Sequence, residues 1–597
     1  MYWRVALALV AAAAMSLVAS GPGPAGDWPQ LGYDTTHSGL NSAETAISAA
    51  NVANTSLYWH AEAVGSSYNS GSSLAVANGV VYVADAGQLL AYDAAGRRGC
   101  DRRRECSPLW VGRGSSSSPA VADGVVYVNG SKLAAFDAAG KQGCDGRPRT
   151  CSPLWSAETG PGFDLGSSSP AVANRVVYAV ASRFDRGARR SAVHLLAFDA
   201  AGRRGCSGRP GRCAPLWSAA IGEGEDPLLT TPTVANGIVF AHSSSSGGAA
   251  HLYAFDAAGV RGCAGRPKAC SPLWTVDLGS GLIQSPAVVT GGHVYVGVAR
   301  EVGESVYRGH FYAFDAKGER GCAGEPRTCS ALWTAATGNA SDHSLAAGNA
   351  IVYVGAFNLR RQGSRDASTL YAFDAAGTSG CGGRPKTCSP LWSAEVPGFL
   401  QSAPSIANGL VFASAGGDLF AFDAAGRKRC SRGQSRRCSP LWKAPTRNGF
   451  YLSTPVVANG AVYVSGVNCE ESCGGQPSTD IYAFAVRYTA RLLPTRHAVA
   501  AGRAVIVELK LLSRAKADVS AASLRVRALC VVHAAARDCA HRSIGYRKRF
   551  FTFRRGRYDF TVKTTGLRAG RYKLLFRAVG EPIGRFHAAK FTLAAVR

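Results

Sequence analysis

The sequence predicts an all-β chain: an eight-bladed β-propeller of four-stranded blades, followed by a small immunoglobulin-like β-sandwich. Near-copies of the stretch 252–274 recur seven times along the 597 residues. Between successive copies lies a second recurring block that carries a hairpin signal. No window keeps an apolar period of 3.6 residues, which excludes a helical repeat.

Each repeat has four parts, which residues 252–274 show clearly. Residues 252–255 alternate apolar side chains as a strand does, and residues 256–259, Asp-Ala-Ala-Gly, are typical of a turn. A Gly/Pro-rich basic loop follows, and Pro-Leu-Trp at 272–274 is expected to open the next strand and the next unit. We interpret the strand-opening Trp residues as wedges between blades rather than a ligand cage: Trp59, Trp110, Trp155, Trp217, Trp274, Trp333, Trp392 and Trp442.

The second block predicts a hairpin. In residues 118–128 and 231–240, an Asp-Gly or Asn-Gly pair lies between two alternating apolar runs, which is the strongest short-range hairpin signal. We therefore assign four strands to each unit: one from the Trp, two around the hairpin turn, and one that ends in Phe-Asp. Four strands at this period are typical of a propeller blade.

The repeated pattern xVYVxxxxxLYAFDAAG…LW resembles the PQQ-like β-propeller repeat of quinoprotein alcohol dehydrogenases and of the propeller lipoprotein of outer-membrane barrel assembly. The resemblance covers residues 27–486, and its opening Asp-Trp-Pro-Gln is similar to the usual lead-in of such propellers. It implies the fold and not the activity, because this fold hosts enzymes and scaffolds alike. Dehydrogenases of the family use adjacent cysteines, calcium ligands and a catalytic Asp, and this chain has no adjacent cysteines.

Four regions are predicted: a signal peptide at 1–20, a lead-in at 21–55, the propeller at 56–486 and the β-sandwich at 487–597. The apolar run at 5–18 is too short to span a membrane, and an uncleaved signal anchor is the alternative. We expect an exported protein without a membrane span. It would be extracellular or associated with the cell envelope, and periplasmic if an outer membrane exists.

The 18 cysteines fall into nine close pairs, which predicts nine disulfides on an exported chain. Zinc is the alternative, but it needs four ligands and each loop supplies two thiols. The last pair of the propeller, Cys469 and Cys473, is interpreted as closing a short bulge, and a calcium or redox role is the alternative. The predicted pairs are Cys100 with Cys106, Cys144 with Cys151, Cys206 with Cys213, Cys263 with Cys270, Cys322 with Cys329, Cys381 with Cys388, Cys430 with Cys438, Cys469 with Cys473, and Cys530 with Cys539.

Positive charge is concentrated in two regions. The seven repeat loops hold 25 Lys/Arg and 5 Asp/Glu, and residues 487–597 hold the same numbers, whereas the whole chain is +27. Two regions of +20 therefore leave the rest of the chain at −13. This distribution favours a polyanionic partner; the alternative is that the arginines are merely solvated loop tips.

The C-terminal region predicts strands at 504–511, 524–532, 549–553, 558–563, 572–579 and 590–595. Residues 558–564 and 569–574 are similar to the PxKF-type module of secreted bacterial proteins, which implies a spacer or adhesive role. Residues 546–555 mix basic and aromatic side chains, which would suit stacking on nucleic acid. An alternating strand with one solvated face gives the same string.

No motif of a known catalytic class appears, and we predict no catalytic residue, metal ligand or resident cofactor. The most unusual polar residues are Asp342 and His343, with Glu223, Glu225 and Asp226 in a second loop. They could line a channel mouth, where an acid and a His could transfer protons. The simpler interpretation is that they hydrate it.

The sequence thus favours a secreted, non-catalytic, monomeric scaffold that binds an anionic envelope surface or a protein partner. The alternative is a quinoprotein-like oxidoreductase with PQQ and calcium, or another enzyme, with its site in the central channel. Nucleic-acid binding through non-specific electrostatics is a third hypothesis.

Overall fold

The computed structural model describes residues 26–594 except 64–71, 86, 161, 167, 186–189, 225–226, 246–247, 304–305, 339, 359–366, 401, 434–435, 447–450, 469–477, 494–497, 501–502, 514–515, 521–523, 537–538, 540–543, 546–549, 580 and 582–585. The predicted signal peptide lies outside these residues. Within them, every regular element is a β-strand apart from the 3-10 helix Val52–Asn54. This content confirms the predicted all-β class.

The repeat region forms eight sheets, numbered here 1 to 8, each with an antiparallel set of four strands. Sheets 1 to 4 consist of Ala75–Ala77, Val80–Asp85, Gly87–Asp93 and Trp110–Ser115; Ala120–Ala122, Val125–Val128, Ala134–Asp137 and Trp155–Ala157; Ala171–Ala173, Val176–Asp185, Arg190–Asp199 and Trp217–Gly224; and Thr233–Ala235, Ile238–Ser243, Ala249–Asp256 and Trp274–Ser280.

Sheets 5 to 8 repeat this order. Hydrophobic cores lie between neighbouring sheets, for example between sheets 1 and 2 and between sheets 5 and 6. Sheets 5 to 8 consist of Val288–Thr290, His293–Gly303, Val306–Asp315 and Trp333–Ala336; Ala340–Gly348, Ile351–Asn358, Ala367–Asp374 and Trp392–Pro397; Ser405–Ala407, Leu410–Ala415, Asp418–Asp423 and Trp442–Pro445; and Val456–Ala458, Ala461–Asn468, Ser478–Val486 and Thr55–Ala63. Short additional strands, Phe163–Asp164, Leu40–Asn41 and Tyr451–Leu452, extend sheets 3, 7 and 8.

The strand that begins at each Trp closes a sheet, and our expectation that it opens the next unit was wrong. Trp110–Ser115 pairs antiparallel with Gly87–Asp93, the strand before the basic loop. The loop therefore joins the third and fourth strands of one sheet. In sheet 8 the fourth strand is Thr55–Ala63, from the start of the repeat region, and it pairs with Ser478–Val486 from its end. This pairing closes the ring.

Each basic loop folds into a small hairpin that attaches to the preceding sheet. Arg149–Cys151, from the loop of sheet 2, pairs in parallel with Trp110–Ser115 of sheet 1, and the first loop bonds to sheet 8 through His60 and Glu105. The hairpin strands are Cys144–Asp145 with Arg149–Cys151, Cys206–Ser207 with Gly211–Cys213, Cys263–Ala264 with Ala269–Cys270, Cys322–Ala323 with Arg327–Cys329, Cys381–Gly382 with Thr387–Cys388, and Arg436–Arg437. The loops thus cover outer sheet edges, which would otherwise expose unpaired backbone groups.

The turn after the third strand of one sheet packs against the outer Trp of the sheet before it; this turn is Asp-Ala-Ala-Gly except in sheet 5, where it is Asp-Ala-Lys-Gly. Gly318 lies against the Trp274 indole so closely that a Cβ there would overlap the ring. The same contact joins Trp59 to Gly96, Trp110 to Gly140, Trp155 to Gly202, Trp217 to Gly259, Trp333 to Gly377 and Trp392 to Gly426.

The turn also accepts a hydrogen bond from the preceding sheet. The Tyr295 hydroxyl of sheet 5 donates to the Ala375 carbonyl of sheet 6 at 2.7 Å. Equivalent bonds run from Tyr463 to Ala94, Tyr82 to Ala138, Tyr127 to Ala200, Tyr178 to Ala257 and Tyr353 to Ala424. Between sheets 4 and 5, Phe240 occupies the Tyr position and packs on Trp274.

The lead-in contacts the first strand of every sheet. In sheets 1 to 7, one backbone N–H donates to it: Val76 to Trp28 O, Val121 to Pro29 O, Val172 to Gln30 Oε1, Val234 to Thr35 O, Val289 to Thr36 O, Ala347 to Ser38 O and Ile406 to Gly39 O. In sheet 8 the Asn41 amide donates to Val457 O at 2.9 Å. Residues 28–41 therefore run along the inner strands of the ring beside the hairpin turns, a role that the sequence pattern did not predict.

The C-terminal region forms two sheets that share one core, while its immunoglobulin type stays a prediction. Buried side chains of this region and of sheets 7 and 8, such as Val507 and Trp442, form a single hydrophobic cluster. The strands are Thr489–Leu492, Val505–Leu512, Arg557–Val562 and Thr552–Arg554 in one sheet, and Ala498–Ala500, His587–Ala594, Gly570–Ala578, Val526–His533 and Ile544–Gly545 in the other.

Gly318→Ala tests the contact between turn and Trp. The added Cβ meets the Trp274 ring at a positive φ of 69°, so we expect a loss of about 3 kcal/mol. Gly324→Ala, also at a positive φ but with its nearest neighbour 3.5 Å away, should cost about 1 kcal/mol. Thermal unfolding of both variants measures the difference, and equal effects would contradict the proposed overlap.

Phe240→Tyr should stabilise the junction of sheets 4 and 5. The new hydroxyl would reach the Ala316 carbonyl as Tyr295 reaches Ala375, and a hydrogen bond contributes about 1 kcal/mol. The reverse change, Tyr295→Phe, should destabilise by a similar amount. A lower melting temperature for Phe240→Tyr would show that this junction has a different geometry.

Candidate functional site

Of the five predicted channel-mouth residues, only Glu223 has its side chain among the described residues. Glu223 lies on the outer strand of sheet 3, exposed, with its carboxylate 3.6 Å from Arg190. Asp342 and His343 belong to the first strand of sheet 6, and their side chains lie outside the described residues. Glu225 and Asp226 also lie outside them.

Hydroxyl groups join the first strands of neighbouring sheets. The N–H of Ser73 donates to Ser118 Oγ at 2.8 Å, the N–H of Ser118 to Ser169 Oγ at 3.0 Å, and the N–H of Ser169 to Thr231 Oγ1 at 3.1 Å. These groups are therefore bonded to one another. Among the described residues, no three His, Cys, Asp or Glu side chains could hold a metal ion together.

Two buried polar clusters were not predicted from the sequence. The Asp480 carboxylate lies 3.1 Å from His60 Nε2 and accepts the Tyr482 hydroxyl at 2.8 Å. His242 contacts Thr230 Oγ1, and burial lowers the pKa of this imidazole to about 4. In each cluster the buried polar groups face one another inside the fold, which supports a structural role.

The Lys and Arg side chains of the seven loops form a surface that we call the cationic rim. All 25 are exposed except Arg436, which is half-buried. Because the hairpins pair with outer strands, these charges lie on the circumference of the ring and not around its axis. The strand directions place them on the same side as the hairpin turns.

Disulfides hold the rim loops, and the predicted bridge is present in all seven. In each loop the second Cys is buried and the first is half-exposed, so the bridge anchors an exposed hairpin to the edge of the core. The seven bridges join Cys100 to Cys106, Cys144 to Cys151, Cys206 to Cys213, Cys263 to Cys270, Cys322 to Cys329, Cys381 to Cys388, and Cys430 to Cys438.

The two remaining predicted bridges have different outcomes. In the C-terminal region, Cys530 is bonded to Cys539, which confirms that pair. The bridge predicted between Cys469 and Cys473 falls on residues outside the described part of the chain. That pair, with the short bulge inferred for it, therefore stays a prediction.

The repeated Asp organises the start of each loop. Asp315 accepts the backbone N–H groups of Glu319 and Arg320, and the Arg320 guanidinium donates to it at 2.9 Å. Burial alone would raise its pKa, but these donors hold the pKa of Asp315 below its usual range. The pKa values of Asp199, Asp256 and Asp374 are lowered in the same way. The donors are the residues four and five positions after the Asp, so the carboxylate has a structural role in the turn.

The rim cations fall into two groups. Some are bonded within their own loop or to the preceding sheet: Arg98 pairs with Asp93, Arg149 donates to the Gly140 carbonyl at 2.9 Å, and Arg212 lies 3.7 Å from the Glu158 carboxylate. Others are exposed and make no hydrogen bond or ion pair with any described residue, so their charges are free for a partner. Four of these, each directly before a proline, we call the tip arginines: Arg147, Arg209, Arg266 and Arg384.

Two aromatic rings of the basic stretch at 546–555 pack against the protein's own side chains. Phe551 is buried against Phe560 and Phe576, and Phe553 packs on Tyr558. These contacts support the interpretation of this stretch as an alternating strand with one face on the core.

No family model and no curated protein matches this chain. Among solved structures, it is similar to Hsv2 of Kluyvelomyces marxianus, at 9% identity over 62% of this chain and 95% of that one, with a TM-score of 0.33. It is also similar to polysaccharide lyase Uly1, at 10% identity over 62% of this chain and 89% of that one, with a TM-score of 0.33. A third similar structure is the propeller domain of the Trilobed protease of Pyrococcus furiosus, at 10% identity over 59% of this chain and 90% of that one, with a TM-score of 0.27.

These likenesses are too distant to bear on function, so the propeller assignment rests on the eight sheets themselves. The PQQ-like and PxKF resemblances stay predictions. Within the described residues, no helix has the length and apolar character needed to cross a bilayer.

Acid should loosen the rim loops. A carboxylate whose pKa is lowered on folding stabilises the protein above its unfolded pKa, about 3.9, and this contribution is lost as the pH falls through the folded value. Asp315→Asn should therefore lower the melting temperature at neutral pH. On acidification, its melting temperature should fall by less than that of the parent protein. Glu325→Gln, which changes an exposed carboxylate of the same loop, should leave the pH profile unchanged. Identical profiles for Asp315→Asn and the parent would contradict this assignment.

Proposed function

We propose that this protein is an exported, non-catalytic propeller scaffold that binds an anionic polymer of the cell envelope through the cationic rim. The observation that carries this proposal is the group of tip arginines, which the fold holds in solvent without using their charge. The eight described disulfides support export, because such bonds persist in oxidising compartments.

The rim suits a long polymer better than a small anion. Its charges are spread around the ring at seven similar hairpins, so one chain can contact several loops and release counterions at each. Disulfides and pairing with the preceding sheet reduce the conformational freedom that binding would otherwise remove. The C-terminal region, itself +20, extends the same electrostatic attraction.

Replacing the four tip arginines with Gln should weaken binding to fluorescent dextran sulfate, measured across a series of salt concentrations. If all four contact the polymer, the slope of log K against log salt should become shallower by about 3. The matched control removes four exposed arginines of the C-terminal region, Arg491, Arg503, Arg568 and Arg571. An equal loss of affinity in the control would show that binding depends on net charge and not on the tip arginines. Absence of binding by the parent protein at low salt would contradict the proposal.

The alternative function, a quinoprotein-like oxidoreductase in the central channel, has its own test. Dye reduction after addition of PQQ and calcium would support it, provided that Asp342→Ala abolishes the activity. The scaffold proposal expects no turnover.

A further inference from the structure

We propose that the cleft between sheets 1 and 2 is a subsite for one acidic sugar residue of the bound polymer. This inference rests on the proposed function and deepens it. The cleft is a cavity of about 650 Å³ on the rim side of the ring. Arg98 comes from the loop of sheet 1, and Lys141 and Arg149 from the loop of sheet 2.

Three cations face one carboxylate in this cleft. The fourth group is Asp137, and one of its two oxygens is occupied, because Oδ2 accepts the backbone N–H groups of Lys141 and Gln142 at 2.6 and 2.9 Å. Arg98 uses its Nε to bond Asp93, and Arg149 uses one terminal nitrogen to bond Gly140. The other guanidinium nitrogens and the Lys141 ammonium remain as donors, so the cleft favours an anion.

The remaining wall suits a sugar ring. Val80 and Leu109 are half-buried and line the cavity, as does the exposed amide of Asn78. A pyranose carries apolar C–H faces, hydroxyl groups and, in an acidic sugar, a carboxylate or sulfate. The apolar wall can pack against the C–H face of the sugar, the Asn78 amide can bond its hydroxyl groups, and the cations can bind its acidic group. An inorganic anion would contact the cations alone. The volume also falls in the range of pockets that hold small organic ligands.

The other junctions lack this combination of cations. Between sheets 2 and 3, Gln142 stands where Arg98 would be, and between sheets 6 and 7 it is Ser379. The position of Lys141, four residues after the turn Asp, is Val260 between sheets 3 and 4, Glu319 between sheets 4 and 5, and Thr378 between sheets 5 and 6. The three cations therefore meet only between sheets 1 and 2 among the described junctions.

Calorimetric titration with a heparin tetrasaccharide tests the subsite. Lys141→Gln should weaken its binding about tenfold, the size of one lost charge-assisted hydrogen bond. Lys317→Gln makes the same change of charge in the turn of sheet 5, outside both the cleft and the cationic rim, and it should change the affinity by less than about twofold. Both side chains are exposed, and thermal unfolding confirms that both variants fold.

Three further probes separate sugar recognition from charge. Neutral maltotetraose should not bind, and inorganic sulfate and tetraglutamate should bind more weakly than the tetrasaccharide and show no difference between the two variants. Equal losses with tetraglutamate would overturn the sugar assignment. Equal effects of the two substitutions on the tetrasaccharide would overturn the subsite.

Retention of long dextran sulfate separates this inference from the proposed function. If the parent retains the polymer but the two variants behave alike toward the tetrasaccharide, the rim binds polyanions and the subsite is wrong. If the parent retains neither probe at low salt, both proposals fail.

Discussion

The ring depends on one contact, the packing of each Asp-Ala-Ala-Gly or Asp-Ala-Lys-Gly turn against the outer strand of the preceding sheet. Three groups of the turn, a glycine, a carbonyl and a carboxylate, each make a different contact. In the turn of sheet 5, Gly318 admits the Trp274 indole because it has no Cβ. In the turn of sheet 6, the Ala375 carbonyl accepts a buried hydroxyl. The Asp carboxylate starts the loop that then pairs with the same outer strand. A change at any of these positions therefore affects two sheets.

This arrangement explains how the ring is completed where the turn is missing. After Phe484 the chain continues with Ala485 and has no eighth stapled loop. The Trp442 indole, which has no turn glycine to face, donates instead to the Thr55 carbonyl at 3.1 Å. Buried side chains of the C-terminal sheets join the cluster around Trp442. The C-terminal region thus takes the place of the missing hairpin as the hydrophobic cover of sheet 7, and the two parts of the chain share a core.

The sequence predicted what is local and missed what is assembled over long distance. Alternating runs, hairpin turns and the close cysteine pairs of the rim each have signals within about a dozen residues, and these predictions were correct. The assignment of Trp110 to the wrong sheet has a different cause. A strand after a loop looks the same whether it pairs backward or forward, and only the three-dimensional pairing with Gly87–Asp93 decides it. The lead-in has no periodic pattern because its partners, such as Val76 and Ile406, lie in different sheets.

The same limit applies to the candidate site. The sequence located the basic loops and their disulfides, yet it could not show which cations the fold already uses. Arg320 is needed by Asp315 whether or not a partner exists, so its charge alone says nothing about binding. Arg147 is different, because the loop keeps its shape through the turn Asp, the disulfide and the hairpin strands without it. The rim carries a net charge of +20. Because these unused positive charges lie close together, they raise the electrostatic repulsion within the folded state. A purely structural loop gains nothing from that repulsion, whereas an anionic polymer would relieve it, and this difference favours binding over solvation as the role of the tip arginines.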